Sequence, residues 1–178
     1  GFKQMEVLLD EFDAVLIATG TTKSKSLDIE GWNLEGIFTA VDFMERINND
    51  GDIWRHPGQE FKENGEVVII GGGSVGIDAA RSAVRCGAEK VTVVCMECGD
   101  EIPAHDWEIE EAEAEGVIIM DGWAPLRFVG ELPRLDGIEL IKVESLSKDA
   151  TGKISCTTIA GTEQIVKADM VVEAIGQR

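Results

Sequence analysis

The chain has 178 residues, of which 44% are hydrophobic, and a chain of this length buries about 70% of its unfolded surface, enough for one large domain or one domain with appended pieces. The formal net charge of −18 at pH 7 argues against nucleic acid and anionic membranes as partners, because both attract clusters of Lys and Arg. With no apolar run of about 18 residues and no signal-peptide pattern at its start, the sequence predicts a soluble protein of the cytoplasm.

The amino-terminal part of the chain predicts one strand, one helix and a loop. The strand is FDAVLIATG, Phe12 to Gly20, which ends at a glycine turn, and the helix is Gly36 to Asn48, where apolar residues follow helical spacing. The span from Asn48 to Gly65 is rich in turn-forming residues and predicts an exposed loop, in which we expect His56 at the surface.

The segment EVVIIGGGSVGID, Glu66 to Asp78, carries the most informative motif of the sequence. A continuous apolar run from Val67 to Ile70 predicts a parallel strand that is covered on both faces. Gly71, Gly73 and Gly76 follow at the spacing of a dinucleotide fingerprint. Its first glycine permits a tight turn, its second lets a phosphate approach the backbone, and its third lets the next helix pack on the strand. The motif therefore predicts a pyrophosphate site.

A helix and a second strand follow the glycines in the order that this motif requires. The helix is predicted to run to about Arg85 and to stop at Gly87, and the run KVTVVC, Lys90 to Cys95, predicts the strand. Amide groups at the helix start, near Ser74 and Val75, are expected to face the anion with a favourable dipole. The alternative is a glycine-rich turn that only packs a helix on a sheet.

The next predicted elements are an acidic helix and a third strand. The helix spans Ile102 to Val117, with Pro103 near its entrance and Gly116 near its end, and the short strand VIIM follows, ending at Met120. In the stretch DWEIEEAEAE within this helix, six of ten residues are acidic and none is basic. We expect a solvated helix face there, and a docking surface for a basic partner is the alternative.

The carboxyl-terminal third changes to the pattern of antiparallel strands. Apolar and polar residues alternate from Trp123 to Lys167, and glycine or proline turns separate the segments, which predicts a β-meander. One more buried strand, DMVVEAIG from Asp169 to Gly176, ends in glycine and completes the predicted elements.

The four cysteines are expected to be structural. Cys95 and Cys98 form a CMEC pair, but no second pair follows at the spacing of a zinc site, and there are only two histidines, so no metal site is predicted. A redox pair is disfavoured too, because the end of the second strand is where the adenosine half of a nucleotide rests. Cys86 and Cys156 are interpreted as fillers of a helix and a strand.

Five segments together carry a resemblance to a known family. They are DAVLIATG (Asp13 to Gly20), GIFTAVDFM (Gly36 to Met44), VVIIGGGSVGIDAARSAVRCGAEKVTVV (Val67 to Val94), IPAHDWEIEEAEAEGV (Ile102 to Val117) and VVEAIGQ (Val171 to Gln177). Their order resembles the pyridine-nucleotide-binding domain of two-dinucleotide flavoproteins, particularly the glutamate synthase small-subunit-like group of FAD-dependent oxidoreductases. The resemblance implies an α/β fold, with a Rossmann-like, three-layer parallel sheet and an antiparallel β-meander.

The resemblance also implies that this is a nicotinamide domain excised from a larger flavoprotein. On this interpretation, residues 1–35 hold a remnant strand of the flavin domain and a linker, and residues 36–168 are the NAD(P)H-binding domain. Residues 169–178 form the return strand towards the flavin domain. FAD would be bound by the flavin domain of the same polypeptide and not by this segment. An electron-accepting subunit or an iron–sulfur module is the further partner that the resemblance implies.

Candidate site residues follow from the same resemblance. Asp78 takes the place of an acidic side chain that lies near the nicotinamide carboxamide in related enzymes, and a carboxylate on the helix surface is an equal alternative. Gly176, in the AIGQ turn, is similar to residues that line the nicotinamide pocket. The residues expected around the pyrophosphate are Gly71, Gly73, Ser74, Val75 and Gly76.

The residues after the second strand predict a preference for NADH. Family members that prefer NADPH have one or two arginines there, which clamp the 2′-phosphate, whereas this chain has Met96 and Glu97. Glu97 is suited to accept hydrogen bonds from ribose hydroxyls, and at ~4 Å it would oppose a phosphate charge by about 4 kcal/mol at an effective dielectric of ~20. Lys90 and Arg127 are the cations that could reach the phosphate from elsewhere.

These observations predict the NAD(P)H-binding module of a flavin-dependent oxidoreductase. It would present the dihydronicotinamide so that hydride passes to FAD, for onward transfer to an acceptor such as a glutamate synthase-type partner. The sequence shows no general acid or nucleophile, and the chain alone is expected to bind nucleotide weakly and to turn over nothing. The alternative is a non-catalytic regulatory or scaffold domain that binds nucleotide. A self-sufficient short-chain dehydrogenase is set aside, because it needs a catalytic tyrosine and the chain has no Tyr.

Overall fold

The computed structural model describes residues 5–17, 23–50, 55–56, 59–60, 65–148 and 154–177. The helices are α1 (Met5–Glu11), α2 (Ala40–Asp50), α3 (Ser74–Arg85) and α4 (Asp106–Ala114), and a 3₁₀ turn covers Gly99–Glu101. The strands are β1 (Ile37–Thr39), β2 (Arg55–His56), β3 (Gln59–Glu60), β4 (Glu66–Ile70), β5 (Lys90–Val94), β6 (Ile118–Met120), β7 (Trp123–Glu131), β8 (Arg134–Lys148), β9 (Ile154–Thr158), β10 (Gln164–Lys167) and β11 (Met170–Glu173).

A five-stranded parallel sheet forms the centre of the molecule, in the order β1-β11-β4-β5-β6. In its middle strand, β4, the four residues from Val67 to Ile70 are each no more than 3% exposed. Val67 and Ile69 pack in the core on one face of the sheet, whereas Val68 and Ile70 pack in the core on the other face. Because both faces are covered, the strand has an unbroken apolar run, and the predicted parallel strand is confirmed.

Helices cover one face of this sheet and antiparallel strands cover the other, which gives three layers. On the helix side, Phe43 of α2, Ile77 of α3 and Ala112 of α4 are fully buried in one apolar core. On the opposite side, Phe128 of β7 and Ile138 of β8 belong to a second core. The predicted α/β fold, a Rossmann-like parallel sheet with an antiparallel sheet beside it, is confirmed.

The antiparallel sheet is built around the long strand β8. β7 pairs with the first part of β8, with Trp123 opposite Lys142 at one end of the ladder. Two further strands pair with β8. β10 pairs with its residues 137–140, and β9 pairs with its residues 143–148. The predicted antiparallel sheet is confirmed, but its last two strands, β9 and β10, both pair with β8 and not with each other.

One strand was missed inside a predicted helix. Ile37–Thr39 forms β1 because these residues pair in parallel with Val171–Glu173 of β11. The helix α2 begins at Ala40 instead of Gly36, and the Thr39 hydroxyl hydrogen-bonds the carboxylate of Asp42 at 2.7 Å beside its first turn.

The predicted strand from Phe12 to Gly20 is wrong over the part that the structure describes. Residues 12–17 form no strand, and residues 18–20 lie outside the described ranges. Leu16 is 91% exposed and Ile17 is 65% exposed. Within the described residues, this apolar stretch has neither a strand to pair with nor a layer to pack on, and a strand needs both.

The predicted loop from Asn48 to Gly65 contains one short hairpin. α2 continues to Asp50, and β2 then pairs with β3, so that His56 lies in a strand opposite Gln59. The remaining predicted loop residues, 51–54, 57–58 and 61–64, lie outside the described ranges. None of the helices in the described ranges has the length and apolar character that crossing a bilayer requires.

The acidic helix α4 packs on α3 through ion pairs, so the prediction of a solvated face holds only in part. Arg81 of α3 contacts Glu111 at 2.8 Å and Glu115 at 2.7 Å, and Arg85 contacts Glu115 at 2.6 Å. These bonds lower the pKa of Glu115 to about 2, with the hydrogen bond from Arg81 as the main cause. Two of the six acidic residues of this stretch therefore pair with the neighbouring helix of the same chain.

Candidate dinucleotide-binding site

The turn between β4 and α3 requires glycine at its first position. Gly71 has a φ of +122°, and its backbone N–H donates to the carbonyl oxygen of Val94 at 2.8 Å. A Cβ on Gly71 would lie 2.5 Å from the carbonyl oxygen of Ala174. Both the backbone conformation and this close approach to the end of β11 exclude a side chain. The chain therefore turns tightly at the carboxyl edge of the parallel sheet.

The other two fingerprint glycines have different surroundings. A Cβ on Gly76 would overlap the carbonyl oxygen of Gly71, so the first turn of α3 packs directly on the preceding turn. A Cβ on Gly73 would meet no atom within 4 Å. The fingerprint requires this division, in which one glycine allows helix packing and another leaves open space in front of the backbone.

Backbone donors are available at the start of α3. The carbonyl oxygen of Gly73 accepts hydrogen bonds from the N–H groups of Gly76 at 2.8 Å and Ile77 at 3.1 Å. No described residue accepts a hydrogen bond from the backbone N–H of Ser74 or Val75. Such unpaired donors occur at helix N-termini, and the helix dipole favours an anion beside them.

The side chain of Ser74 is engaged within the protein. Its hydroxyl donates to Oε2 of Glu108 at 2.8 Å, and the same oxygen accepts the backbone N–H of His105 at 2.8 Å. The bond from His105, followed by the bond from Ser74, lowers the pKa of Glu108. Glu108 thus ties the start of α4 to the start of α3, and Ser74 can serve an anion through its amide. Sequence reasoning missed Glu108, although its place three residues after His105 is typical of a capping box.

Two cavities open along the carboxyl edge of the sheet, and both adjoin the glycine turn. The first, of about 320 Å³, extends past the end of β5 to Met96 and Glu97. The second, of about 360 Å³, extends past the end of β11 to the start of α2. Gly73 and Gly176 line both cavities. A ligand with two halves joined at the turn matches this arrangement, because nucleotides bind in the crevice beyond the carboxyl ends of parallel strands.

The chain matches one protein family over almost its whole length. Residues 6–178 match the pyridine nucleotide-disulphide oxidoreductases. This chain belongs to that family.

Named relatives agree with this membership. The chain is 35% identical over 175 residues to the NADP(+)-dependent formate dehydrogenase subunit beta of Moorella thermoacetica, covering 97% of this chain and 24% of that protein. It is 32% identical over 173 residues to the glutamate synthase (NADPH) small chain of Halomonas elongata, covering 96% of this chain and 36% of that protein. The chain thus spans about a quarter to a third of these relatives. The predicted resemblance to the glutamate synthase small-chain group is confirmed.

A solved structure shows the same fold. The thioredoxin reductase of T. acidophilum superposes with a TM-score of 0.58 at 21% sequence identity, covering 89% of this chain and 42% of that one. At this identity the likeness concerns the fold alone. It supports the three-layer arrangement of this chain.

Seven of the nine predicted site residues of this family member line the two cavities. They are Gly71, Gly73, Met96, Glu97 and Gly176 in the first cavity and Ser74 and Val75 in the second. Gly76 lies under the turn, where it allows the packing of α3. Asp78 is exposed in the second turn of α3 and is not among the described residues that line either cavity. Its alternative role, a carboxylate on the helix surface, agrees with this position.

The wall of the first cavity that faces the glycine turn was not predicted. It includes Trp123, Pro125 and Ile154 from the antiparallel sheet. The backbone N–H of Trp123 donates to the carbonyl oxygen of Cys95 at 2.9 Å, which attaches the start of β7 to the end of β5. Alternation in the sequence predicted these strands, but it could not show which of their ends reaches the cleft.

The cations proposed from the sequence are not among the described residues that line either cavity. Lys90 begins β5, and Val94 ends it, so Lys90 is ~13 Å from the cavity along the strand. The Nε of Arg127 donates to Oε2 of Glu139 at 2.6 Å, and this bond raises the pKa of Arg127. A cation that was not predicted, Lys25, has its Nζ 3.9 Å from the position that a Cβ on Gly176 would take. Lys25 therefore places an ammonium group beside Gly176, which lines both cavities.

The cysteine pair of the sequence has one buried member. Cys95 is 3% exposed and lines the first cavity, whereas Cys98 is exposed, and both are free thiols. Burial raises the pKa of the Cys95 thiol to about 12, and its Sγ lies 3.6 Å from the carbonyl oxygen of Glu97. In the described ranges no group of three or more His, Cys, Asp or Glu side chains is arranged to hold a metal ion.

Proposed function

We propose that this chain binds NAD(P)H and presents the nicotinamide to FAD on a flavin domain, as part of a flavin-dependent oxidoreductase. The observation that carries this proposal is the glycine turn between two cavities, with no described residue accepting from the amides of Ser74 and Val75. Membership of the pyridine nucleotide-disulphide oxidoreductase family supports the redox role.

The residues of the turn fit a pyrophosphate. Gly73 offers space for the close approach of an anion, because a Cβ at this position would have no neighbouring atom within 4 Å. The helix dipole contributes about 0.3–1 kcal/mol to anion binding, and about 2 kcal/mol where the site is partly buried. The adenosine half would be held in the first cavity, beside Glu97, and the nicotinamide half in the second, beside Gly176.

The contribution of this chain to the reaction is binding and orientation. When bound, the dihydronicotinamide supplies a hydride to the flavin. Ser74 and Val75 would fix the centre of the cofactor through backbone donors, while Trp123 and Ile154 form an apolar wall on one side of the first cavity. A donor held in the right orientation reacts faster than a free one, because its translational and rotational freedom has already been lost.

We propose that FAD and the electron acceptor are bound outside this chain. The relatives are much longer, since the chain covers 24% of the formate dehydrogenase subunit and 36% of the glutamate synthase small chain. One is named as a subunit and the other as a small chain, which supports an electron-accepting partner. The cytoplasm remains the proposed location. The division into residues 1–35, 36–168 and 169–178 also remains a proposal. Strand β11, which belongs to the last of these ranges, lies between β1 and β4 in the parallel sheet.

We further propose NADH as the preferred cofactor, although both relatives are named for NADP or NADPH. Glu97 lines the first cavity, and no Lys or Arg is among the described residues that line it. A 2′-phosphate ~4 Å from a carboxylate is opposed by about 4 kcal/mol at an effective dielectric of ~20, and by less where the pair is exposed. Even a quarter of this energy lowers affinity several-fold.

Calorimetric titration of the chain with ADP-ribose, NADH and NADPH tests binding. We expect saturable one-to-one binding of all three, with NADH bound more tightly than NADPH. A chain that binds none of them would refute the dinucleotide site, and tighter binding of NADPH would refute the preference.

The redox role is tested on the full-length protein. We expect it to carry a yellow flavin whose absorbance is bleached when NADH is added under anaerobic conditions. A full-length preparation that binds NADH but no flavin would leave a non-catalytic nucleotide-binding domain as the function.

A further inference from the structure

One buried carboxyl group lies in the wall of the second cavity. Glu173, the last residue of β11, is 4% exposed and lines the second cavity together with Ser74, Ala174 and Gly176. Among the described residues, the buried polar or charged side chains are Glu173 and Thr92. A buried carboxyl group in the wall of a cavity is a candidate for a functional role.

The contacts of Glu173 hold its side chain in place and leave it with acceptor capacity. The backbone N–H of Leu27 donates to Oε1 at 2.8 Å, and the side chain of Ser26 also forms a hydrogen bond with the carboxyl group. Burial raises the pKa of Glu173, and these two bonds oppose the shift. An ionised carboxylate offers about four acceptor sites, so two donors do not exhaust it.

The order of strands decides which half of a dinucleotide comes close to Glu173. Glu97 follows β5, on one side of β4, and the fingerprint places the ribose of adenosine beside an acidic residue there. β11 lies on the other side of β4. With the pyrophosphate at the turn after β4, the nicotinamide half extends towards the end of β11, where Glu173 lies.

The carboxylate that the sequence offered for the nicotinamide is less suitably placed. Asp78 is exposed on α3 and is not a lining residue of either cavity in the described part of the chain. Glu173 combines burial, fixed orientation and a position in the cavity wall. The chain thus has one exposed and one buried candidate for the same partner.

We propose that Glu173 accepts a hydrogen bond from the NH₂ group of the nicotinamide carboxamide and so positions the ring in the second cavity. This inference rests on the proposed function. The chemistry is selective, because an amide NH₂ is a donor that matches a carboxylate, whereas a carboxylate at the same position of the ring offers only acceptors. The site should therefore reject nicotinic acid adenine dinucleotide, which differs from NAD⁺ in this one group.

The test compares three ligands by calorimetry on the wild-type chain. We expect ADP-ribose, which lacks the ring, to bind, and NAD⁺ to bind at least about tenfold more tightly than nicotinic acid adenine dinucleotide, since tenfold corresponds to about 1.4 kcal/mol. Equal affinity for the two dinucleotides would overturn the inference while leaving the proposed function intact. Failure of ADP-ribose to bind would instead refute the proposed function, and the inference with it.

Two variants assign the discrimination to a residue. In Glu173→Gln, which keeps the size of the side chain and an acceptor for Leu27, we expect the ratio of the two dissociation constants to fall about tenfold, while ADP-ribose affinity stays within about twofold. Asp78→Asn is the matched variant, and we expect it to keep the wild-type ratio. A fall of the ratio in Asp78→Asn, or an unchanged ratio in Glu173→Gln, would overturn the assignment. Because the wild-type chain alone must discriminate, the test does not depend on how well Glu173→Gln folds.

Discussion

Gly76 packs so closely on Gly71 that any Cβ on Gly76 would overlap the Gly71 carbonyl oxygen. Gly73, three residues earlier, has open surroundings, because a Cβ there would have no neighbouring atom within 4 Å. The two glycines belong to one fingerprint, yet one serves the packing of α3 and the other leaves a path to the backbone. Experiments can separate these two roles, because we expect folding to depend on Gly76 and binding to depend on Gly73.

Replacing Gly76 with valine is expected to destabilise the fold. The branched side chain must displace the turn at Gly71, and overpacking of this kind costs about 1–3 kcal/mol in the free energy of unfolding. Denaturation with urea, followed by circular dichroism, measures the change.

Gly73→Val is the matched control for Gly76→Val. We expect its free energy of unfolding to fall by less than about 1 kcal/mol, because the open surroundings of Gly73 leave only the poorer N-cap preference of valine as a cost. ADP-ribose affinity should nevertheless fall at least about tenfold, since the new side chain blocks the approach of the pyrophosphate. Equal loss of stability in both variants would contradict the division of roles.

Glu97→Arg is expected to shift cofactor preference towards NADPH. An arginine at the end of β5 replaces a repulsive charge with a fork of donors that matches a phosphate. NADPH affinity should rise at least about tenfold, whereas NADH affinity should fall or stay constant. Glu101→Arg, in the nearby 3₁₀ turn, makes the same change in net charge away from the lining of either cavity. A similar gain in Glu101→Arg would show that net charge, and not position, controls the preference.

Glu115→Gln is expected to lower the thermal stability at neutral pH. Arg81 and Arg85 hold the pKa of the Glu115 carboxyl at about 2, below its usual value of 4.5. A carboxyl whose folded pKa is depressed stabilises the fold above its unfolded pKa, and this contribution is lost as the pH falls towards the folded pKa. The difference in Tm between wild type and variant should therefore be largest above about pH 5 and shrink towards about pH 2.

Glu113→Gln is the matched control for Glu115→Gln. Glu113 is exposed on the same helix and has no salt bridge with any described residue. We expect its Tm to follow that of the wild type at every pH. A Tm difference for Glu115→Gln that does not change with pH would show that the ion pairs are not its cause.

Cys95 is expected to resist alkylation at pH 8. Burial raises the pKa of its thiol to about 12, and the thiolate is the reactive form. Cys98 and Cys156 are exposed and provide internal controls in the same molecule. Brief treatment with iodoacetamide, followed by peptide mass spectrometry, should label the two exposed cysteines and leave Cys95 unmodified. Labelling of Cys95 at the rate of Cys98 would exclude a buried, protonated thiol.

Local patterns were sufficient where strand, turn and helix adjoin in the sequence. The strand from Glu66, the helix that ends at Arg85 and the strand from Lys90 were predicted to within about one residue. Each has a signal of its own: an apolar run, a glycine turn or a glycine stop. The acidic residue after β5 was visible in the same way, because its distance from the glycines is set by the length of one helix.

Prediction failed where a residue depends on a distant partner. Ile37 lies in a strand because it pairs with Val171, at the other end of the chain. Phe12 to Ile17 has the composition of a strand, but no described residue pairs with it. The partners of Glu115 are arginines of the preceding helix, and a helix considered alone does not reveal them.

The sequence alone determined the glycine turn and the acidic residue that follows β5, since these depend on spacing within one strand–helix–strand unit. Only the tertiary structure decided that Glu173 and Glu108 lie beside that turn, and that Asp78 does not line the cleft. The reason is that a parallel sheet brings the carboxyl ends of strands together at one edge, and β11 takes its place beside β4 only when the whole sheet is assembled.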